Sequence, residues 1–280
     1  PRRRLLVVSD AAGGEPRLHQ DPVAARWVAF APARARRPGA QGAVDSPGDC
    51  PFCVGHERDT VTERLRLGDG PAGWDVRVVD NLYPALRHHE VVVHGWGHRT
   101  RFSTVPDATL DLVAEAWQRR AHDAGGTVFP YVNEGLMAGS SQTHSHSQLA
   151  WLPTPPPAVL GERGLPTAEV AFESDGLVVG AVSSPRSDYE LQIVPERWEP
   201  EGLRSDLLGP ALRLAADCLR RLDTILGREV PFNLWLHEGS RWHLELVPRL
   251  TTPAGLELGA GVWTVTVDPA DAARRLRDAV

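Results

Sequence analysis

Residues 127–152 read TVFPYVNEGLMAGSSQTHSHSQLAWL, and their organisation sets the reading of the rest of the chain. Thr127 to Asn133 is an extended apolar run, residues 135–141 are rich in Gly and Ser, and Thr143 to Leu152 is extended again, so the stretch reads as strand, loop, strand. Alternate residues of a strand share a face, which would set His144, His146 and Gln148 side by side. The loop glycines let backbone N–H groups approach a ligand, and Ser140 and Ser141 add hydroxyl donors. The loop therefore reads as an anion-binding nest beside two imidazoles and an amide. A pair of solvent-facing histidines on an edge strand is the competing reading, and the flanking Gly and Ser residues count against it.

Outward from this stretch the same pattern occurs twice. Before it lie two β-branched runs, Asp75 to Val79 and His89 to His94, separated by Asn81-Leu82-Tyr83-Pro84, which is turn chemistry. A helix follows, started by Pro106-Asp107, apolar at Leu110, Val113 and Trp117, and stopped by Gly125-Gly126. After the proline-rich segment Pro153 to Gly161, strands are expected at Gly176 to Gly180 and Tyr189 to Val194. A long amphipathic helix from Ser205 to Leu226 comes next, then strands at Asn233 to His237 and Trp242 to Val247. Strand, strand, helix, strand, strand twice over predicts an α+β fold of two similar halves, each an antiparallel sheet with one main helix. The halves divide into residues 1–157 and 158–280. Trp27 to Ala31 is strand-like, and residues 39–49 read as loop.

Composition removes several classes of function. The 280 residues carry 36 acidic and 30 basic side chains and a net charge of −6, and every basic residue is Arg. Without Lys there is no P-loop lysine and no Schiff base, so Walker-type nucleotide hydrolysis and pyridoxal chemistry are excluded. Phosphate, if bound, must be met by Arg, His or backbone N–H groups. The acidity argues against a nucleic-acid partner, although Arg2 to Arg4 and Arg34, Arg36 and Arg37 are local basic clusters. No run is long enough to span a membrane, and Leu5 to Val8 is too short for a signal-peptide core. Three cysteines, at 50, 53 and 218, do not make a disulfide framework and suit a reducing cytoplasm. Cys50-Pro51-Phe52-Cys53 then reads as half of a zinc site rather than a redox pair, because Pro47-Gly48-Asp49 before it is loop and not a strand. Its other ligands would be histidines, and spacing leaves His56, His88, His89, His94, His98 and the His144/His146 pair all open. Cys218 reads as a small buried hydrophobe. The tryptophans at 27, 96, 117, 151, 235 and 242 read as core or interface packing.

Several of these motifs, in this order, resemble the galactose-1-phosphate uridylyltransferase family of the histidine-triad superfamily. The resemblance runs from Asp21-Pro22 to Arg277. It passes through Arg34-x-x-Arg37-Pro38, Cys50-Pro51-Phe52-Cys53, Asn81-x-x-Pro84, His89-Glu90-Val91 with His98, and Asn133-x-x-x-Met137-x-Gly139-x-Ser141-x-x-His144-x-His146-x-Gln148. It implies zinc ligands at Cys50, Cys53, His98 and His144. It implies a nucleophile at His146, which attacks the α-phosphorus of a nucleotide sugar, with Gln148 and Ser141 holding the phosphate. Arg34, Arg37, Asn81, Asn133, Gly139 and Ser140 are the implied substrate-binding residues, the two arginines on an arm that in this family reaches a neighbouring subunit, and a homodimer follows from that analogy.

The activity so implied is ping-pong transfer of a nucleoside monophosphate between sugar 1-phosphates, as in galactose metabolism, by a cytoplasmic enzyme. Departures from the family pattern, Gly255 to Gly261 near the C-terminus and Ser147 after the nucleophile, look more like the branch that includes ADP-glucose phosphorylase. The acceptor would then be inorganic phosphate. Transfer to water, or a non-catalytic, zinc-stabilised nucleotide-binding module, would fit the same motifs. A second metal site would use His237, His243, Glu245 and Glu162; the competing reading is two histidines satisfied by hydrogen bonds.

Overall fold

The computed structural model describes residues 15–21, 26–37, 47–98, 101–123, 126–156, 158, 168–239 and 241–279. Arg2 to Arg4, Pro22, Pro38, residues 39–46, Gly125, Pro157, Gly161 and Glu162 lie outside the described residues. A hairpin of β1 (Arg17–Gln20) and β2 (Trp27–Phe30) comes first. The first half then contributes β3 (Glu63–Leu67), β4 (Val76–Asp80), β5 (His89–His94), helix α1 (Asp107–Asp123), β6 (Thr127–Glu134) and β7 (His146–Leu152). The second contributes β8 (Ala168–Ser174), β9 (Leu177–Val182), β10 (Leu191–Pro195), α2 (Leu208–Leu226), β11 (Phe232–His237) and β12 (His243–Pro248), followed by α3 (Pro269–Asp278).

Ten of these strands form one antiparallel sheet in the order β3-β4-β5-β7-β6-β11-β12-β10-β9-β8. Read inward from its two ends, each half runs first, second, third, fifth, fourth, and the halves meet where β6 pairs β11 with Asn133 opposite Asn233. A twofold rotation about that pair superposes the order of one half on the other. The fold is therefore α+β, two tandem halves of like strand order related by pseudo-twofold symmetry.

Each half has one strand more than the periodicity predicts. β3 reads Glu-Arg-Leu-Arg-Leu and β8 reads Ala-Glu-Val-Ala-Phe-Glu-Ser, and both sit at a sheet edge with an irregular register to their neighbour. Charge and bulges are what protect an open edge from further pairing, and the same charge hides the strand from a search for apolar runs. Helix α3 carries a legible start, Asp268 accepting a hydrogen bond from the Ala270 N–H with Pro269 in the first turn, and it buries Ala272, Ala273 and Leu276 over β8 and β9.

The sheet has a helical face and an open face. Val76, Val78, Val92, Leu149 and Trp151 pack with Leu110, Val113 and Trp117 of α1, and Leu212, Leu219 and Leu222 of α2 extend the same core across the second half. The odd-numbered residues of β5 point the other way: Val91 and Val93 join Trp74, Val79 and Phe52 on the open face. This alternation puts His146 and Gln148 of β7 on the open face, since they pair with Val93 and Val91.

Candidate active site

β7 begins at His146, not at Thr143, so His144 is held in the approach to the strand. The separation matters because the two histidines do different things. His146 is 6% exposed, and its Nδ1 lies 2.8 Å from the carbonyl oxygen of His144, which fixes Nδ1 as the protonated nitrogen and leaves Nε2 with its lone pair. Burial, with the charge of Arg37 adding to it, lowers the pKa of this imidazole below its ordinary value, so the ring is neutral. Phe52 lies beside it, ring centroids 5.4 Å apart.

His146 opens on a pocket of about 260 Å³ that Arg37, Phe52, Asn81, Ser141 and Gln148 also line. Arg37 Nε donates to Ser141 Oγ at 2.9 Å, so the arm carrying the arginines closes over this chain's own site. Arg34 anchors that arm from outside the pocket lining, donating to the Tyr83 carbonyl at 2.9 Å. The side chain of Asn81 caps its own turn, accepting from the Tyr83 N–H at 2.9 Å. Ser140, Gly139 and Asn133 do not line the pocket. The Ser140 hydroxyl donates to the Gln142 carbonyl at 2.7 Å, and Gly139 supplies a left-handed turn at φ +79°. Asn133 Oδ1 accepts from Asn233 Nδ2 at 2.7 Å, and the same amide of Asn233 donates to the Ala138 carbonyl at 3.0 Å, so this pair between the halves braces the loop. A wider, more open groove of about 1090 Å³ lies between α1 and Pro200 to Arg204, but it collects none of these groups.

The sulfur atoms of Cys50 and Cys53 lie 3.5 and 3.6 Å from His144 Nδ1, and Cys53 Sγ is 3.2 Å from His98 Nδ1. All four donor atoms fall within 4.8 Å of one another, a set that could hold a metal ion. Cys50 to Cys53 make a tight turn closed by the Cys53 N–H on the Cys50 carbonyl, and His144 Nε2 donates to the Gly95 carbonyl at 3.1 Å, which aims Nδ1 at the sulfurs. The histidines that spacing left open are engaged elsewhere. His56 pairs with Asp59, His88 stacks on Trp151, His89 meets Gln148, and His94 meets Ser145 and Ser147.

In the second half His237, His243 and Glu245 also bring donor atoms within 4.8 Å. There the Trp235 indole N–H points at both His237 Nε2 and Glu245 Oε2, and Arg186 pairs with Glu245 and Glu190. Hydrogen-bond donors thus already serve His237 Nε2 and Glu245, while His243 Nε2 is buried without a hydrogen-bond partner.

Sequence reading weighed His89 only as an open zinc ligand and passed over Tyr131. Tyr131 stands directly opposite Gln148 in the β6–β7 register, and its hydroxyl donates to Gln148 Oε1 at 3.0 Å. Same-face alternation with Asn133 was the available signal. His94, which spacing left open as a zinc ligand, instead meets Ser145 and Ser147.

No protein-family profile matches the chain. It is 28% identical to ADP-glucose phosphorylase of Arabidopsis thaliana over an alignment of 344 positions, which covers 96% of this chain and 97% of that one. The structure of an Arabidopsis thaliana ADP-glucose phosphorylase with bound ADP-glucose superposes with a TM-score of 0.75 at 27% identity, covering 95% of this chain and 99% of that one. A uridylyltransferase structure superposes with a TM-score of 0.76 at 20% identity, covering 94% and 97%, a likeness of fold. The doubled strand order and the full-length likeness agree: the chain is a homologue of ADP-glucose phosphorylase and shares its fold with a uridylyltransferase.

Proposed function

We propose that the protein is a nucleotide-sugar phosphorylase working through a covalent nucleotidyl-His146. The observation that carries this reading is the His146 imidazole, neutral, held by Nδ1 on the His144 carbonyl, with Arg37, Ser141 and Gln148 around the same pocket. Nε2 attacks the α-phosphorus, the sugar 1-phosphate leaves, and a phosphoimidazole bond replaces the phosphoanhydride. An oxygen of inorganic phosphate then attacks the same phosphorus, His146 leaves as a neutral ring after Nε2 gives up the nucleotidyl group, and a nucleoside diphosphate is released. Arg37 supplies charge, and Ser141 and Gln148 supply hydrogen bonds, where negative charge builds on the non-bridging oxygens.

Transfer to a sugar 1-phosphate, the uridylyltransferase reaction, shares the first step and differs only in the acceptor. The full-length likeness to a phosphorylase favours phosphate as acceptor and an adenine nucleotide as donor. The test is intact-protein mass after mixing with ADP-glucose, UDP-glucose, UDP-galactose or GDP-mannose. An acid-labile gain of one nucleoside monophosphate, absent in His146→Ala, is expected, with ADP-glucose the most efficient donor. A chase with phosphate should yield nucleoside diphosphate. Release by galactose 1-phosphate but not by phosphate would restore the uridylyltransferase reading, and equal turnover in His146→Ala would overturn both.

Cys50, Cys53, His98 and His144 fit zinc: two soft sulfurs, two imidazoles and a carbonyl orienting one of the rings. A bound ion would tie the Cys50–Cys53 turn to the start of β7 and so hold His146 in place, a structural service. Leu256, Leu258 and Val262, each about half or more exposed, support a homodimer, which sedimentation would reveal as a doubled mass.

A further inference from the structure

His89 lies on β5, 3% exposed, on the same face as Val91 and beside Gln148. Its two ring nitrogens have different partners, and the partners determine the tautomer. The Ala85 backbone N–H donates to Nδ1 at 3.0 Å, so Nδ1 carries the lone pair and the proton is on Nε2. Nε2–H points to Gln148 Oε1 at 3.1 Å, with the Tyr131 oxygen also at 3.1 Å. The Tyr131 hydroxyl donates to the same Gln148 oxygen at 3.0 Å, and Asn81 Nδ2 approaches it at 3.5 Å. Three donors surround one amide oxygen. Turning the Gln148 amide over would set its NH₂ against those donors and leave buried groups unpaired, which is strongly disfavoured. The NH₂ is therefore directed away from His89, toward the pocket that Gln148 lines.

The second half shows what this position does without a histidine. In the sheet registers Tyr131 and Val91 pair with Gln148, and Trp235 and Gln192 pair with Glu245, so His89 corresponds to Glu190, Gln148 to Glu245 and His146 to His243. There Arg186 bridges the two carboxylates, and the position of Gln148 carries a carboxylate in place of an amide. Even the backbone contact of the histidine recurs, His243 Nδ1 lying 3.3 Å from the Arg241 carbonyl as His146 Nδ1 does from that of His144.

We propose that His89, supported by Tyr131, is a positioning residue that fixes the orientation of the Gln148 amide, so that its NH₂ and not its carbonyl meets the phosphoryl group transferred at His146. The proposal rests on the roles given to His146 and Gln148 above. Burial, reinforced by Arg34, lowers the His89 pKa to about 4, which keeps the donor–acceptor pattern of the ring intact at neutral pH.

Rapid-quench formation of the nucleotidyl adduct from ADP-glucose tests it. His89→Leu is expected to slow adduct formation at saturating donor about 10- to 100-fold, a loss of the size a misdirected donor gives, with the donor's apparent affinity changed about threefold or less. His89→Gln, which restores an N–H donor near Nε2, should recover most of the rate. Adding Gln148→Ala to His89→Leu should cost little more, because the two act as a unit. A wild-type rate in His89→Leu overturns the proposal, as does a His89→Gln as slow as His89→Leu with unchanged melting. Long-range ¹H–¹⁵N spectra of the free protein give a readout independent of turnover: the Nε2–H tautomer of His89 is expected, and the Nδ1–H tautomer would sink the idea. If wild type forms no adduct with any nucleotide sugar, the functional reading falls while the tautomer still decides the arrangement.

Discussion

Ser140 and Ser141 carry the same hydroxyl, and their neighbours divide them. Ser141 accepts from Arg37 and lines the pocket, whereas Ser140 closes the loop on the Gln142 carbonyl. Ser141→Ala is expected to lower kcat about 100-fold, the effect of removing one donor from a developing oxyanion, with an unchanged Tm. Ser140→Ala should leave kcat within a few fold and lower stability by about 0.5–1.5 kcal/mol, one hydrogen bond's net worth. Steady-state kinetics and thermal melts on the two variants check both. The pocket was legible in sequence as far as residue type and alternation go: His146 and Gln148 line it with Ser141, whereas the resemblance put Arg37 on an arm reaching a neighbouring subunit. Which of two adjacent serines faces the pocket depends on how the loop turns at Gly135 and Gly139. At Gly135, with φ +86°, an added Cβ would come within 2.8 Å of Pro231 in the other half.

At the scale of elements, β7 is clamped on both faces. Behind it the Trp117 indole N–H donates to Ser147 Oγ at 2.8 Å, Ser147 meets His94 Nε2 at 2.9 Å, and His94 Nδ1 meets Ser145 Oγ at 3.0 Å. These four side chains are buried, and burial drives the His94 pKa well below its ordinary value, so the ring is neutral. Ser147→Ala would strand the indole N–H and one ring nitrogen, and a loss of about 1–3 kcal/mol for each stranded group is expected in urea unfolding. The end of β6 supplies a pH dependence. Glu134 accepts from the Phe102 N–H at 2.6 Å and faces Arg101, with Asp223 and Glu229 nearby. Burial nevertheless raises its pKa to about 7. A carboxyl raised on folding binds a proton that the unfolded chain has already lost, so its contribution is complete below pH about 4.5 and disappears as pH rises through about 7. Melting temperatures from pH 4.5 to 8 should fall less steeply in Glu134→Gln than in wild type; equal slopes would show that Arg101 keeps the carboxylate ionised.

At the scale of the whole molecule, the two halves share one sheet, and their helices α1 and α2 pack against each other beneath it. The symmetry is in the backbone, while the side chains differ: His146 and Gln148 recur as His243 and Glu245, and no counterpart of the Arg37–Ser141 contact is seen among the described residues of the second half. A Cys50→Ser/Cys53→Ser double variant is expected to lose bound zinc and, with it, several kcal/mol of stability, because binding free energy in a folded site is folding free energy. Elemental analysis with a parallel melt checks this, and a folded, active wild type without metal would refute it.

Sequence alone determined the element periods, the doubled order, the family motifs and the identity of the groups able to act on a phosphate, because alternation, helix spacing and motif order are local properties of the chain. It stopped where residues distant in the chain must meet. The two charged edge strands are one case, and the meeting of His98 and His144, which spacing left open and the resemblance named, with Cys50 and Cys53 is another. So are the Arg37–Ser141 contact across 104 positions and the quartet of Asn81, His89, Tyr131 and Gln148. These are decided by register between strands and by which face each side chain takes, and only the folded sheet supplies both.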